Sequence, residues 1–497
     1  MNDIGSPSKT SIRFNHRAIS LIMITNIRQI TSKVCQGMKS IQNSPSELWL
    51  AYILKFLDSF SYFSFSIIFT LFLSADFGYS DLSAGTIYGA WGALVTLFGL
   101  FTGVLIDKLG VSLSLRIGFI IQLIAKVMIF ITTSKTILMI SLTLLSLGGC
   151  LGIPVLTVGI RRYTNDNNRG FAFGLFYVIM NFAALISGPV VDFCTILFQS
   201  KIRENENDDS WTFSGYRLVL LLGIGTNILA CIVSLKVKEI KVGTNDEESS
   251  RGCQQVENFL PSKAAPMEIL RETISSPDFW RFLTVCLITL NIRMIFRHLD
   301  ATLPKYMLRE FGDDVPKGTI YSINPLLIMI LVPIITAATT KVDPLVMIHH
   351  GCYVSAASVF FLAFWTSIPS CVLFVVVLSI GEAIWSPRLY DYTCKIAKEG
   401  REGTYMALAS APLFLAKLPV GLMSGYLLQT YCPEDGPRNS QMMWLIIGLI
   451  TASSPVLLTF LWGYISKNHE TEGPTYDQVP VHEYQIEEVK TPQQVVA

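Results

Sequence analysis

Charged residues are scarce in this chain, where they make up 15% of the 497 residues. Soluble proteins carry about 25% charged residues, so the composition excludes a soluble enzyme of several domains. The net charge of +1 gives no indication of nucleic-acid binding. The ten cysteines include no C-x-x-C pair and are spread among apolar runs, which argues against a zinc site and against a disulfide scaffold.

The chain also lacks the short motifs that accompany enzyme chemistry. The sequence contains no G-x-S-x-G, no H-E-x-x-H and no glycine-rich phosphate loop. A selectivity filter or a repeated pore element, which a channel would need, is absent as well. The sequence therefore predicts neither an enzyme nor a channel, and it predicts no metal and no cofactor.

Apolar sequence is abundant, with 51% apolar residues and a mean hydropathy of +0.48. A helix that crosses about 30 Å of hydrocarbon needs roughly 20 apolar residues. Twelve such runs are present, and they lack the alternation that is typical of barrel strands. We predict an all-α integral membrane protein with transmembrane helices at 49–74, 82–106, 112–133, 136–160, 170–197, 214–235, 279–308, 318–340, 344–366, 369–394, 403–430 and 441–466.

The charges of the loops predict how the chain is oriented. One set of loops, which includes the segments before the first span and between spans 6 and 7, is rich in Lys and Arg. The opposite loops are poor in both residues, and the loop near 198–213 is acidic. Basic loops stay in the cytoplasm, so both termini are expected there. The plasma membrane and an endolysosomal or vacuolar membrane fit this prediction equally well.

The spans divide the chain into five segments. A cytoplasmic arm (1–48) precedes a first bundle of six helices (49–235). A polar stretch (236–278) has the composition of a cytoplasmic linker and leads to a second bundle of six helices (279–466). A polar segment (467–497) follows and is expected to be a cytoplasmic tail.

The loop between spans 2 and 3 carries Gly103, Asp107, Lys108 and Gly110, followed by Arg116. Gly103 permits close helix packing. Asp107 can accept hydrogen bonds from a helix N-terminus, and Arg116 can pair with Asp107. The spacing resembles G-x-x-x-D-[RK]-x-G, the signature of the major facilitator superfamily, although the basic cluster that usually follows is missing. The resemblance implies that these five residues form a gating motif.

The layout of six spans, a linker and six spans is similar to that of the same superfamily. This likeness implies two pseudo-symmetric bundles of six helices, related by an axis normal to the membrane. It also implies that spans 1, 4, 7 and 10 line a central cavity. Asp58, Arg297, Asp300 and Glu382 would then converge on that cavity.

Four short segments resemble, more distantly, the proton-coupled oligopeptide transporters. Asp58 and Tyr62 lie in a stretch of span 1 similar to E-R-F-x-Y-Y-G, and Asn181 ends a stretch of span 5 similar to L-F-Y-x-x-x-N. Span 10 contains the G-E pair of that branch, whose glutamate is Glu382. The likeness implies that Glu382 couples or positions the substrate. The first motif is degraded, because Asp58 and Ser59 replace its Glu and Arg.

Ionisable residues inside the spans are candidates for function, because a charge at bilayer depth costs several kcal/mol unless it is paired or hydrated. Arg293 and Arg297 are four residues apart and share a helix face, and Asp300 lies three residues beyond Arg297 and can pair with it. The candidates for substrate binding or proton coupling are Glu382, Asp58, Arg297, Asp300, Arg293, Lys417, Tyr62 and Asn181.

Structural roles are open alternatives for several of these residues. Arg297 and Asp300 either face the cavity or form a fixed internal pair. Asp58 either faces the cavity or bridges to Lys55, one turn away.

Two lysines lie inside apolar runs of the sequence, and their roles are open. Lys417 either binds an anionic group or forms a salt bridge. Lys126 of span 3 has no partner in its own sequence neighbourhood, so it either snorkels towards water or contacts a neighbouring helix.

These residues lead to a hypothesis of proton coupling. A carboxylate in a cavity of low dielectric constant can bind a proton, and a nearby arginine opposes this. Alternate formation and loss of a pair between Glu382 and Arg297 or Lys417 would then couple proton movement to rocking of the helices.

The sequence predicts a secondary active transporter that moves a small polar solute, with peptides or amino acids first, by alternating access and proton symport. A gradient-independent facilitator of amino acids or sugars is the alternative, which the degraded span 1 motif favours. A non-transporting receptor on the same fold is a further alternative. The expected partners are the small-molecule substrate and the lipid bilayer, the expected energy source is a proton gradient, and the expected state is a monomer.

Overall fold

The structure is a computed structural model that describes residues 35–42, 44–198, 211–239, 275, 277–339, 342–396 and 415–466. Side chains are not described for residues 100–108, 153, 166–167, 278, 390 and 394–396. The expected arm (1–48), linker (236–278) and tail (467–497) lie mostly outside these residues.

The described residues are arranged as helices, without strands. The first part of the chain forms helices Ser46–Phe77, Asp81–Ile131, Lys135–Cys150, Ile153–Arg162, Asp166–Leu197 and Gly215–Lys236. The second part forms helices Pro277–Ala301, Leu303–Phe311, Lys317–Ala338, Pro344–Ser358, Phe360–Phe364, Ile368–Ile396, Lys417–Tyr431, Ser440–Phe460 and Trp462–Ile465.

Eleven segments are long and apolar enough to cross a membrane, and they correspond to predicted spans 1 to 10 and 12. Helix Lys417–Tyr431 is the described part of span 11, which was expected at 403–430 and whose first residues lie outside the described part of the chain. Span 7 continues beyond its main helix through Leu303–Phe311. The described helices are thus consistent with twelve spans.

The interruptions of the helices follow from glycine and proline. Gly110 has a φ of +77°, in the left-handed region that glycine adopts without a steric penalty, and it separates spans 2 and 3 within one long helix. The second helix of span 4 begins with a proline in its first turn, as does Leu303–Phe311 of span 7. Proline is favoured there because the first turn leaves its N–H groups unbonded.

The two faces of the membrane are defined here by span 1. The near face is the one at which span 1 begins at Ser46, and the far face is the one at which span 2 begins at Asp81. The loop charges predict that the near face is cytoplasmic, and this assignment stays a prediction.

Each half of the chain has its own apolar core. The core of the second half is a single apolar cluster of residues from spans 7 to 12. The core of the first half consists of two apolar clusters, formed mainly by residues of spans 1 to 6. The outer surfaces expose large apolar side chains, among them Ile131 (61%), Leu235 (64%) and Leu449 (59%). Such exposure is what a lipid environment requires.

Glycines bring the two halves into close contact towards the far face. A Cβ atom on Gly85 of span 2 would overlap the carbonyl oxygen of Gly421 in span 11. A Cβ atom on Gly188 of span 5 would likewise overlap the carbonyl oxygen of Gly318 in span 8. Small residues allow backbones to approach this closely. We call these two contacts the glycine interface.

The near-face ends of spans 2 and 5 are different. A Cβ atom on Gly99, at the near-face end of span 2, would meet nothing within 4 Å. The same holds for Gly170 and Gly174, at the near-face end of span 5. Among the described glycines of spans 2 and 5, those in close contact with the opposite half therefore lie from the middle of the membrane to the far face.

Candidate functional site

Five ionisable residues of the second half form what we call the central charge cluster. They are Arg293, Arg297 and Asp300 of span 7, Glu382 of span 10 and Lys417 of span 11. Electrostatic interactions connect Glu382 to both arginines, and connect Arg297 and Asp300 to Lys417. Three of the four residues that the sequence predicted to converge, Arg297, Asp300 and Glu382, thus interact with one another, together with Arg293 and Lys417.

Asp300 binds both to its own helix and to the opposite half. Its side chain is 2% exposed, and its Oδ2 atom lies 3.6 Å from Nη1 of Arg297. The same oxygen accepts hydrogen bonds from the hydroxyls of Ser66, at 2.6 Å, and Tyr88, at 3.1 Å. Asp300 therefore forms the pair that the spacing indicates, but its shortest bonds are those to spans 1 and 2.

Lys417 lies in a cage of aromatic rings. Its ammonium nitrogen is 3.9 Å from the centroid of Trp91, 5.0 Å from that of Tyr62 and 5.1 Å from that of Tyr88. No ion pair of Lys417 within 4 Å occurs in the described part of the chain. Of the two alternatives for Lys417, a salt bridge is not present among the described residues, and binding of an anionic group stays a prediction. Its described contacts are cation–π contacts across the two halves, which are each worth about 0.5–2 kcal/mol.

The two arginines of span 7 have unused hydrogen-bond donors. Arg293 is 5% exposed, its guanidinium lies 5.3 Å from the ring centroid of Trp385, and its Nε and Nη2 atoms have no hydrogen-bond partner among the described residues. The Nε atom of Arg297 is likewise buried without a described partner. Buried donors of a charged group are costly to leave unbonded.

Glu382 contacts a polar side chain of span 8. Its Oε2 atom accepts a hydrogen bond of 2.9 Å from the amide of Asn324, which also donates to Ser379 at 3.1 Å. Glu382 is half-buried, and Arg293 and Arg297 are the charges that act on it. Asn324 was not among the predicted site residues, because nothing in the sequence links span 8 to span 10.

The first half contains a second set of buried polar residues, which we call the Lys126 network. The ammonium of Lys126 donates to Ser61 Oγ at 2.7 Å, to Asn227 Oδ1 at 2.7 Å and to Gln122 Oε1 at 3.5 Å. Asn227 in turn donates to the carbonyl of Phe119 at 2.8 Å. Lys126 thus contacts neighbouring helices, which was one of its two expected roles.

Asp58 interacts with the Lys126 network. Lys126 and Lys55 are the cations that act on it, and its Oδ2 atom lies against Gly152 of span 4. The ammonium of Lys55 lies 4.6 Å from the ring centroid of Phe176 and forms no described ion pair with Asp58. No described contact joins Asp58 to Arg297, Asp300 or Glu382, so the convergence of all four residues, which the family resemblance implies, stays a prediction.

Tyr62 and Asn181 differ in how the structure places them. Tyr62 of span 1 is part of the cage around Lys417 and lies at the boundary of the two halves. The side chain of Asn181 donates to the carbonyl of Tyr177, one turn away in its own helix, at 2.9 Å. Tyr62 is thus adjacent to the central charge cluster, and Asn181 is not joined to it by a described contact. A role for either residue in transport stays a prediction.

The predicted gating motif is only partly described. The side chains of Asp107 and Lys108 and the contacts of Gly103 lie outside the described part of the chain, so the expected pair of Asp107 with Arg116 is untested. Gly110 provides the left-handed turn at the start of span 3. Arg116 donates to carbonyls at the end of span 6, where the helix dipole favours a cation.

Glu239 performs at this loop the capping role that was expected of Asp107. Its carboxylate accepts hydrogen bonds from the backbone N–H groups of Val111, at 3.1 Å, and Ser112, at 2.8 Å. It also pairs with Arg162 at 2.8 Å. The start of span 3 is therefore bound to the segment that leaves span 6 and to the end of span 4. Sequence reasoning missed Glu239, because it lies far from the motif in the chain.

Ion pairs close the far face. Asp81, at the start of span 2, accepts hydrogen bonds from Lys305 at 2.8 Å and from Arg309 at 2.8 and 2.9 Å. Both cations lie on the last helix of span 7, so the pairs join the two halves. We call this group the far-face ion pairs. Each of its side chains is at least nine-tenths buried.

A second far-face contact joins spans 5 and 8. Asp192 accepts hydrogen bonds from the backbone N–H groups of Gly318, at 2.7 Å, and Thr319, at 2.6 Å. An acidic side chain is favoured at a helix N-terminus by the helix dipole. Asp192 therefore stabilises the far-face contact beside Gly188 and Gly318.

Residues 51–418 match the family model described as Major Facilitator Superfamily. No curated protein matches the sequence. Solved structures with a similar fold include a POT family transporter in complex with 5-aminolevulinic acid, with 15% identity, a TM-score of 0.68 and coverage of 86% of this chain and 98% of that one.

Two further structures show the same fold. A nucleoside transporter, NupG, has 12% identity, a TM-score of 0.67 and coverage of 84% of this chain and 100% of that one. A peptide transporter of the POT family in complex with sulfate has 17% identity, a TM-score of 0.65 and coverage of 87% and 99%. The expected twelve-helix fold of two bundles is thus confirmed, and so is the likeness to peptide transporters at the level of the fold. The family and the fold are those of membrane transporters and not of enzymes, and the chain belongs to the major facilitator superfamily.

Proposed function

We propose that the chain is a proton-coupled symporter of a small polar solute, with peptides or amino acids as the first class to test. The observation that carries the proposal is the position of Glu382. It is half-buried within span 10, hydrogen-bonded to Asn324, and under the influence of Arg293 and Arg297. An ionisable residue at bilayer depth has a functional role by default.

The arrangement of the two halves supports alternating access. The far-face ion pairs and the glycine interface hold the halves together at the far face. Transport then requires that the far-face contacts break and that equivalent contacts form at the near face.

Glu382 would act as the proton-binding group of this cycle. When it is charged, the arginines of span 7 attract it, and when it takes up a proton that attraction is lost. Protonation therefore changes the interaction between span 10 and span 7. The cycle uses this change to make movement of the halves depend on the proton.

The test is uptake by the purified chain in liposomes, with and without an inward proton gradient. Labelled dipeptides, neutral and basic amino acids, hexoses and nitrate are offered in turn. Accumulation of one class that is stimulated by the gradient is expected. Equal rates in both conditions would contradict proton coupling.

Glu382→Gln tests the role of the carboxylate directly. The variant is expected to retain counterflow exchange and to lose accumulation driven by the gradient. Asp435→Asn is the control, because Asp435 is exposed and lies in the far-face loop after span 11. Gradient-driven accumulation by Glu382→Gln at the rate of the unchanged chain would refute the proposal.

A gradient-independent facilitator is the second candidate function. The hydrogen bond from Asn324 supports it, because an amide donor satisfies the carboxylate of Glu382 without a proton. The absence of a span 1 arginine beside Asp58, where Ser59 stands, supports it as well. Uptake at equal pH on both sides, with a rate that a gradient does not change, would favour this candidate.

The orientation and the state of assembly belong to the same proposal. We place the near face in the cytoplasm of a plasma membrane or an endolysosomal or vacuolar membrane, on the basis of the basic loops. Accessibility of a tag fused after residue 497 tests this: it should need permeabilised cells. A monomer is expected, and size-exclusion chromatography with light scattering checks it.

A further inference from the structure

The central charge cluster contains more positive than negative charge. It has three cations, Arg293, Arg297 and Lys417, and two carboxylates, Asp300 and Glu382. All five residues are buried or half-buried within the membrane-spanning part of the chain. An unbalanced buried charge is unfavourable unless a ligand or water completes its interactions.

The excess is centred on the arginines of span 7. Asp300, the nearest carboxylate, is 3.6 Å from Arg297 but has shorter bonds to Ser66 and Tyr88 of the other half. It therefore neutralises Arg297 only in part. Glu382 has its described hydrogen bond to Asn324 and none to either arginine.

The unused donors indicate where an anion would bind. Nε and Nη2 of Arg293, and Nε of Arg297, have no partner among the described residues, and Arg293 is more than nine-tenths buried. The two arginines are four residues apart on one helix, so both guanidinium groups lie on the same face. Lys126 in the first half is a contrast, since three side-chain oxygens accept its hydrogen bonds.

We infer that the solute of the proposed transport is an organic anion whose carboxylate is bound by Arg293 and Arg297. A guanidinium donates two parallel hydrogen bonds to a carboxylate, a geometry that a solute without a carboxylate cannot satisfy. The excess positive charge of the cluster favours a net anion over a zwitterion, whose ammonium group would add a further positive charge. Trp385, which is 1% exposed, packs against Arg293 and holds its guanidinium group in place. Acidic dipeptides, acidic amino acids and dicarboxylates form the class of substrates that this site would select.

The inference rests on the proposed function and deepens it. The groups that act on Glu382 are Arg293 and Arg297 of span 7 and Asn324 and Tyr321 of span 8. Protonation of Glu382 removes one of the two negative charges of the cluster and so favours an anion beside the arginines. Binding of the proton and of the anion then support one another, because such coupling is reciprocal.

The experiment compares three dipeptides of similar size and different charge: Ala-Glu, Ala-Gln and Ala-Lys. Their effect on the thermal unfolding of the full chain in detergent gives a measure of binding that does not depend on transport. Their uptake into liposomes, with and without a proton gradient, gives the transport. We expect Ala-Glu to stabilise the chain and to be taken up, with an apparent affinity at least tenfold higher than that of Ala-Gln or Ala-Lys.

Variants of the arginines locate the site. Arg293→Gln and Arg297→Gln should each weaken Ala-Glu binding at least tenfold. The affinity of Arg297→Lys should lie between that of Arg297→Gln and that of the unchanged chain, because lysine keeps the charge but lacks the planar guanidinium group. Arg281→Gln, on the same helix near the near face, is the control and should bind Ala-Glu as the unchanged chain does. If the Gln variants do not fold, binding of the three dipeptides to the unchanged chain still tests whether the site selects an anionic solute.

The outcomes separate this inference from the proposed function. Gradient-driven uptake of Ala-Gln with no preference for Ala-Glu would overturn the anion inference and leave proton coupling in place. Preference for Ala-Glu without an effect of the gradient would support the anion inference and contradict proton coupling. If none of the three dipeptides, glutamate or succinate stabilises the chain, the anion inference is wrong.

Discussion

Each half of the molecule buries a lysine within the membrane, and the two lysines have different surroundings. Lys126 of the first half donates hydrogen bonds to side-chain oxygens of spans 1, 3 and 6 and lies beside the carboxylate of Asp58. Lys417 of the second half faces the rings of Tyr62, Tyr88 and Trp91 across the boundary of the halves. One lysine joins helices within a bundle, and the other joins two bundles that must separate.

The difference indicates how buried charge is used in each half. A network in which the donors have acceptors makes a bundle rigid, whereas a cluster with unused donors is ready for a ligand. The Lys126 network is of the first kind. The central charge cluster is of the second kind, because Arg293 and Arg297 have donors without described partners. Buried basic residues therefore have a structural role in the first half and a proposed role in ligand binding in the second half.

The largest expected effect is that of Lys126→Met on stability. The change leaves the oxygens of Ser61 and Asn227 without their donor, and it removes one of the two cations that act on Asp58. Removing one member of a buried ionic group costs about 3–5 kcal/mol. Thermal unfolding of the purified chain in detergent measures it. Lys417→Met is the matched variant and should lose less stability, because the loss of its cation–π contacts is partly offset by the relief of its repulsion with Arg297. Equal losses of stability in the two variants would show that the two lysines do not differ in their structural role.

A smaller effect is expected for Asp58→Asn. The variant keeps the shape of the side chain but removes the charge beside Lys126, which should lower the free energy of unfolding by about 1–3 kcal/mol. Proton-driven uptake should remain, because no described contact joins Asp58 to the central charge cluster. Glu382→Gln should show the reverse pattern, with stability kept and accumulation lost. Loss of proton-driven uptake in a folded Asp58→Asn chain would place the coupling in the first half.

Asp81→Asn is expected to shift the balance between the two states of the carrier. It weakens the pairs with Lys305 and Arg309, and these pairs stabilise only the state in which the far face is closed. A loss of about 1.4 kcal/mol changes the ratio of the states about tenfold. Cys432, whose carbonyl binds Arg309, is buried in the closed state, so its labelling by a membrane-impermeant thiol reagent should rise. Asp435→Asn, at an exposed residue of the far face, serves as the control, and an unchanged labelling rate in Asp81→Asn would show that the ion pairs do not hold the far face closed.

The smallest effect is expected for Asp391→Asn. This residue pairs with Arg388 at 2.9 Å, but its side chain is 50% exposed. Exposed pairs contribute at most about 1 kcal/mol. Both stability and uptake should therefore match those of the unchanged chain within error. A loss of stability comparable to that of Asp58→Asn would mean that the exposure of a charged side chain does not predict its contribution to the stability of this protein.

The sequence predicts the fold well because membrane spans are defined by local composition. The apolar runs at 49–74 and 279–308 correspond to helices Ser46–Phe77 and Pro277–Ala301, and only the ends differ. The i, i+3 spacing of Arg297 and Asp300 indicates a pair that the structure contains, because both residues lie on one helix. Contacts within one helix can therefore be predicted from the spacing of residues in the sequence.

Contacts between spans could not be predicted in the same way. Asp58 meets Lys126 because spans 1 and 3 pack together, and a spacing of 68 residues gives no sign of it. Asp81 with Lys305, and Asn324 with Glu382, are similar cases. The expectation that Asp58 joins the charges of spans 7 and 10 rested on the family resemblance alone, and the contacts of Asp58 in the structure are those within the first half.

The glycine interface has a consequence for the speed of the carrier. Gly85 and Gly421, like Gly188 and Gly318, meet as bare backbone, with no side chain between them. Backbone surfaces of this kind can separate and rejoin without a change of rotamer at the glycines. The energy barrier to each movement of the halves therefore comes from the charged groups and not from the glycine interface. A leucine at Gly421 or Gly318 would act as a wedge that only the opposite state can accommodate. Such a wedged chain is a tool for capturing the state in which the far face is open.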